Sequence, residues 1–140
     1  LVKAADFFTS EYPKISLLAK LSAVFGSISL LGVVLTPADV PSLYTLHIFF
    51  ANSVFNGALV TLGIYSHLFY SKGLKNVTYA LFICSIVILG YIIFLEVGPA
   101  PWKSIESLTI HATYQKIAVL SLVGTVWFMS KGTDLLDDKV

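Results

Sequence analysis

Four long apolar stretches, separated by short polar breaks, set the pattern of this chain. They run from about Ile15 to Leu35, Tyr44 to Tyr70, Val77 to Leu95 and Leu108 to Met129. As a helix, each can cross ~30 Å of hydrocarbon at ~1.5 Å per residue. Four such helices in series leave nothing to bury them in water, so the pattern predicts transmembrane helices. The breaks carry turn chemistry. Thr36 to Pro41 holds two prolines and Asp39, so Pro37 ends the first span and Pro41 with Ser42 opens the second. Ser71 to Asn76 is a short basic turn, and Gly98 to Lys103 is a Gly/Pro break with Trp102. The expectation is a single all-α transmembrane domain, a bundle of four helices with a polar, frayed tail after Lys131.

Composition strengthens this picture. Of the 140 residues, 56% are hydrophobic and 12% charged, with mean hydropathy +0.84. A soluble domain carries about 25% charged residues. Net charge is +1, which gives nucleic-acid binding no electrostatic support. Every basic residue is a lysine, so the bidentate guanidinium grip on phosphate is absent. Cys84 is the one cysteine, which excludes an internal disulfide and a Cys-x-x-Cys metal site. Its place in an apolar run suggests an inert thiol in the core or facing lipid.

Charge placement predicts orientation. Lys3, Lys14, Lys72, Lys75, Lys131 and Lys139 fall in the N-terminal segment, the second turn and the tail. With four spans these regions share one side. The other side holds Lys103 with Asp39, Glu96 and Glu106. The positive-inside rule then puts both termini in the cytoplasm. The expected partners are membrane lipid and other membrane-protein subunits, with no nucleic acid.

Polar residues within the spans need partners or a role. In the first span Ser22 and Gly26 are four apart and predict a close-packing face, so Gly26→Leu should destabilise. The third span has few polar interruptions and is expected to be the most lipid-exposed, with Ile86 tolerant of change. Asn52 and Asn56 share a face of the second span and are expected to hydrogen-bond to a neighbouring helix. His47 is expected to point away from that pair, and His67 to sit solvated at the inner end.

The fourth span carries two polar stripes. Glu106, Thr109, Thr113 and Lys116 form one, and His111 with Gln115 the other. Lys116 lies too deep to be comfortable alone, and Asp39, folded back on its turn, is the expected partner. Asp39, His47, Glu106, His111, Gln115 and Lys116 thus form a predicted ligand-binding pocket in the outer half of the membrane. The pattern admits three chemistries: a hydrogen-bonded lining that fixes helix register or contacts lipid headgroups, a transition-metal site of two histidines and a carboxylate, or a b-type haem held by His47 and His111. No standard catalytic motif occurs, so an enzyme is the less favoured reading and no cofactor is assigned. A small structural subunit of a larger membrane complex is a further reading.

The stretch Gly32 to Asp39, with Leu46-His47 and Phe55, resembles a multi-helix membrane-protein family of unknown function similar to the Frag/DRAM proteins. The closing segment His111 to Ile117, with its Gln115-Lys116 pair, is similar too. Such families have about six helices, so the resemblance implies one or two helices ahead of Leu1, where the chain starts without Met. Eukaryotic relatives are linked to membrane-lipid remodelling and autophagy. Asp39, His47, Gln115 and Lys116 match the pattern, and the resemblance attaches no catalytic role to them.

Overall fold

The computed structural model describes residues 2–138, and among them it is built from helices alone. A short helix, α1 (Val2–Asp6), precedes four long ones: α2 (Pro13–Leu35), α3 (Tyr44–Ser71), α4 (Lys75–Val97) and α5 (Ile105–Asp137). One turn of 3-10 helix, Pro101–Lys103, lies between α4 and α5. Local chemistry explains the boundaries. Pro13 opens α2, where its missing N–H costs nothing. Gly73, at φ +75°, supplies the left-handed residue that lets α3 turn into α4. Ser104 caps α5 by accepting from the Ser107 amide at 3.0 Å.

Each long helix packs against the next in the chain, α2 on α3, α3 on α4 and α4 on α5, in an up-and-down row. The row is not closed: α2 and α5 do not meet among the described residues. A groove of about 290 Å³ runs between them over α3, with Ser22, Gly26, Thr61 and Thr125 along it. This corrects the packing expected of Gly26, since a Cβ added there would meet nothing within 4 Å. Close approach occurs instead at Gly32, where a Cβ would collide with the Phe50 ring, and at Gly132, where it would lie 2.7 Å from Phe69.

Three helices, α2, α3 and α4, are long and apolar enough to cross a membrane. Little of their surface is covered within the chain: 22% of the most apolar stretch of α2 and of α4 is buried, and 28% of that of α3. Leucine, isoleucine, valine and phenylalanine side chains cover the outside, as a bilayer requires. α5 is long but falls outside that group. Thr109, His111, Thr113, Gln115 and Lys116 crowd its first half, and its apolar run starts at Ile117. The third span, expected to be the most exposed, is covered no better than α2. α4 packs on both α3 and α5, and α2 takes the edge of the row. Cys84 is buried in α4, with its thiol facing Gly124 of α5.

Hydroxyls on the long helices satisfy themselves locally. Ser27, Ser29, Thr61, Ser85 and Thr125 each donate to the carbonyl four residues back, at 2.8–2.9 Å. Asn56 behaves alike, donating to the Asn52 carbonyl at 2.9 Å rather than to another helix.

The N-terminal segment closes one end of the row. α1 packs against α2 and α5, and Phe8 is fully buried edge-on to Phe69, with ring centroids 5.8 Å apart. Ser16 donates to the Ala5 carbonyl at 2.7 Å. Two ion pairs hold the segment from outside, Lys20 with Asp6 at 2.6 Å and Lys72 with Glu11. His67 is exposed near this end and sits edge-on to Tyr12.

Candidate functional site: a cavity at the open end

The opposite end, where α3 and α5 begin and α4 finishes, is hollow. A cavity of about 580 Å³ lies between α3, α4, α5 and the loop joining α4 to α5. Its inner wall is apolar, with Phe55 edge-on to Tyr91 at 4.8 Å and Leu95 beside them. Its polar groups are His47 and Asn52 from α3, Glu96 from α4, and His111 and Gln115 from α5. Tyr44 and Trp102 complete the rim, and Trp102 is 81% exposed.

Both histidines are anchored. His47 Nδ1 donates to the Thr36 carbonyl at 2.5 Å, and His111 Nε2 donates to the Pro99 carbonyl at 2.6 Å. A carbonyl oxygen only accepts, so the bonded ring nitrogen carries the hydrogen. In the neutral ring the other nitrogen, Nε2 of His47 and Nδ1 of His111, keeps a bare lone pair. Each bond also ties a loop to the site. Thr36 donates its own hydroxyl to the Gly32 carbonyl at 2.6 Å, which fixes the end of α2. Ser107, one turn before His111, donates to the Ala100 carbonyl at 2.6 Å. Two prolines leave the Pro99–Pro101 loop short of amides, and α5 side chains take up its carbonyls. His111 further rests against Phe94, which stacks on Tyr114 at 4.4 Å and 12°.

Of the six residues expected in the pocket, the structure brings three together: His47, His111 and Gln115. Asp39, Glu106 and Lys116 are exposed and lie outside the lining. The expected pairing of Asp39 with Lys116 is not formed, and Lys116 has no ion pair or hydrogen bond among the described residues. The reason is rotation about α5. The stripe from Glu106 to Lys116 faces away from the cavity, and its threonines bond within their own helix, Thr109 to Ile105 and Thr113 to Thr109 at 2.9 Å. His47 and Asn52 line the same cavity rather than opposite faces. Sequence reasoning placed Glu96 on this side of the membrane but missed Asn52, Tyr91 and Trp102 as lining residues. The aromatic and acidic residues flanking the Gly98–Lys103 break were the available signal.

Among the described residues no three His, Cys, Asp or Glu side chains gather closely enough to hold a metal ion. Two histidines and Glu96 line the cavity without forming the compact donor set that zinc takes.

Fold and site together define a class: a helical membrane protein with a polar-rimmed cavity at one end of its bundle. Comparison with family models, curated proteins and solved structures finds no match to the chain.

Proposed function

We propose that this chain is a multi-pass membrane protein with four crossing helices and both termini in the cytoplasm, whose outward-facing cavity holds a lipid headgroup or a small ligand. The observation that carries the reading is the convergence of His47, Glu96, His111 and Gln115, from three helices, on one cavity in an otherwise apolar bundle. Polar groups so placed in a membrane protein are costly unless they serve a partner. A crossing by α5 is supported by its packing along α4, which carries it through the same hydrocarbon. Lys116 then reaches the outer interface along its own alkyl stem. The orientation rests on the lysines of the α3–α4 turn and of the helix ends that share its side. The likeness of the Gly32–Asp39 and His111–Ile117 segments to the Frag/DRAM-like family, with relatives linked to lipid remodelling, leans the same way. The reading is one of binding and assigns no reaction to the site.

Photocrosslinking tests it. Protein in nanodiscs that contain a phospholipid with a photoreactive headgroup should crosslink at cavity residues such as Ala51, Leu95 and Ala112. Crosslinks spread evenly over the helix ends would refute it. A Soret band in the purified protein would instead favour haem held by His47 and His111.

The groove between α2 and α5 favours a second reading, a structural subunit of a larger complex. Small side chains such as Gly26 and Ser22 let a partner helix approach closely. A stoichiometric membrane partner copurifying in mild detergent, and lost in a Gly26→Leu variant, would support it.

A further inference from the structure

The cavity lining carries formal charge of one sign. Glu96 brings a carboxylate that makes no ion pair among the described residues. No lysine lines the cavity, and Lys103 and Lys116, the closest along the chain, both stay outside it. Tyr44, Tyr91 and Trp102 add three aromatic rings, whose faces are electron-rich. His47 and His111 each spend a ring N–H on a backbone carbonyl, so in the neutral rings the remaining nitrogens only accept.

An anion entering this site finds the neutral donors of Asn52, Gln115, Trp102 and the tyrosines, but it meets the Glu96 carboxylate with no positive charge in the lining to offset it. A neutral apolar group leaves the carboxylate and imidazole acceptors without partners as water withdraws. A cation finds partners in the carboxylate, the aromatic faces and the imidazole nitrogens. A compact metal ion is poorly served, because the donors are not gathered around one point. A bulky, weakly hydrated cation suits a roomy cavity with aromatic walls.

Building on the headgroup-or-ligand reading above, we infer that the cavity selects a ligand carrying an ammonium group, seated between Glu96 and the rings of Tyr44, Tyr91 and Trp102. Two sources share that chemistry, the amine-bearing headgroup of a zwitterionic phospholipid and a free alkylammonium ion.

The test uses the full chain with Trp127→Phe, so that Trp102 is the remaining tryptophan. In one arm, tetramethylammonium chloride is titrated into delipidated protein, with sodium chloride as the ionic-strength control. Trp102 fluorescence should change saturably with the first salt and not with the second. In the other arm, the protein is equilibrated with equal amounts of phosphatidylcholine and phosphatidylglycerol, and bound lipids are counted by native mass spectrometry. Phosphatidylcholine should be retained about tenfold over phosphatidylglycerol, and Glu96→Gln should lose most of that preference at unchanged helix content, as expected for one charge with cation–π support.

Saturable binding of tetramethylammonium without lipid preference would support the ammonium site and assign it to a free amine. Preference for phosphatidylcholine without binding of the free ion would support it and assign it to the lipid. Retention of phosphatidylglycerol at or above phosphatidylcholine, with no response to tetramethylammonium, overturns the inference. So does a preference that Glu96→Gln leaves intact. If headgroup crosslinks still map to the cavity in those cases, the binding reading survives; if they do not, both fall together.

Discussion

At the end where α2 begins and α3 finishes, Phe8 is driven under α1 against Phe69, Ser16 ties the segment to Ala5, and two ion pairs clamp it from outside. At the end where α3 begins and α4 finishes, the same helices stand around a cavity, and histidine bonds to Thr36 and Pro99 hold the surrounding loops back. The first end has Phe8 packed into its core and the Ser16 bond buried, with a smaller hollow of about 200 Å³ left by the α3–α4 turn. The second spends its polar groups on keeping a space. Packing that closes a membrane bundle and polar anchoring that keeps it open are thus separated along its axis. Substitutions at the two ends should therefore differ in kind: loss of stability at one, loss of the proposed ligand at the other.

The largest effect is expected at the closed end. Phe8→Ala removes a fully buried ring and should cost about 3–5 kcal/mol of stability in detergent unfolding, the usual toll of an emptied core aromatic. Trp102→Ala at the open end should leave stability within about 0.5 kcal/mol, because an exposed side chain is removed. A comparable loss at both positions would erase the distinction. Gly132→Ala comes next. Its Cβ would press on Phe69 at 2.7 Å, and overpacking costs about 1–3 kcal/mol. Gly26→Ala, over the groove, should be nearly neutral in the same assay.

The open end sharpens the contrast at smaller scale. His111→Ala gives up one hydrogen bond to the Pro99 carbonyl and should cost about 1 kcal/mol. It should also raise hydrogen exchange in the Gly98–Lys103 loop while leaving α1 protected. Lys72→Gln breaks an ion pair with the half-exposed Glu11 and should cost less than about 1 kcal/mol, with the difference shrinking in high salt.

The sequence carried the helices well and the pocket in part, for physical reasons. Apolar runs bounded by Pro37, Gly73 and Pro99 mark out the helices, and four long ones are found, three of them long and apolar enough to cross a membrane. α5 was harder, because His111, Gln115 and Lys116 dilute its apolar character. Depth was legible, since rise per residue is fixed: His47 and His111 were both expected in the outer half, and they line one cavity. Azimuth was less so. Gln115 and Lys116 are neighbours, yet a rotation of about 100° sends one into the cavity and the other out. The two stripes of α5 were distinguishable, but pooling them placed Glu106 and Lys116 in a site they do not line. The plug at the closed end left almost no trace. Nothing in the pair Phe7-Phe8 marks Phe8 as the ring that is buried, because that depends on where Phe69 arrives from another helix.

Impermeant thiol labelling of intact cells tests most directly whether the two ends lie on opposite sides of a membrane, with the cavity outward. Cysteines are placed singly at Ala100 and at Ser71 in a Cys84→Ala background. Ser71 is preferred to Gly73, whose positive φ would strain a side chain. Labelling of Ala100→Cys from outside, with Ser71→Cys labelled only after the cells are opened, is the expected result. The reverse pattern would turn the cavity to the cytoplasm, and external labelling of both would mean that α4 does not cross.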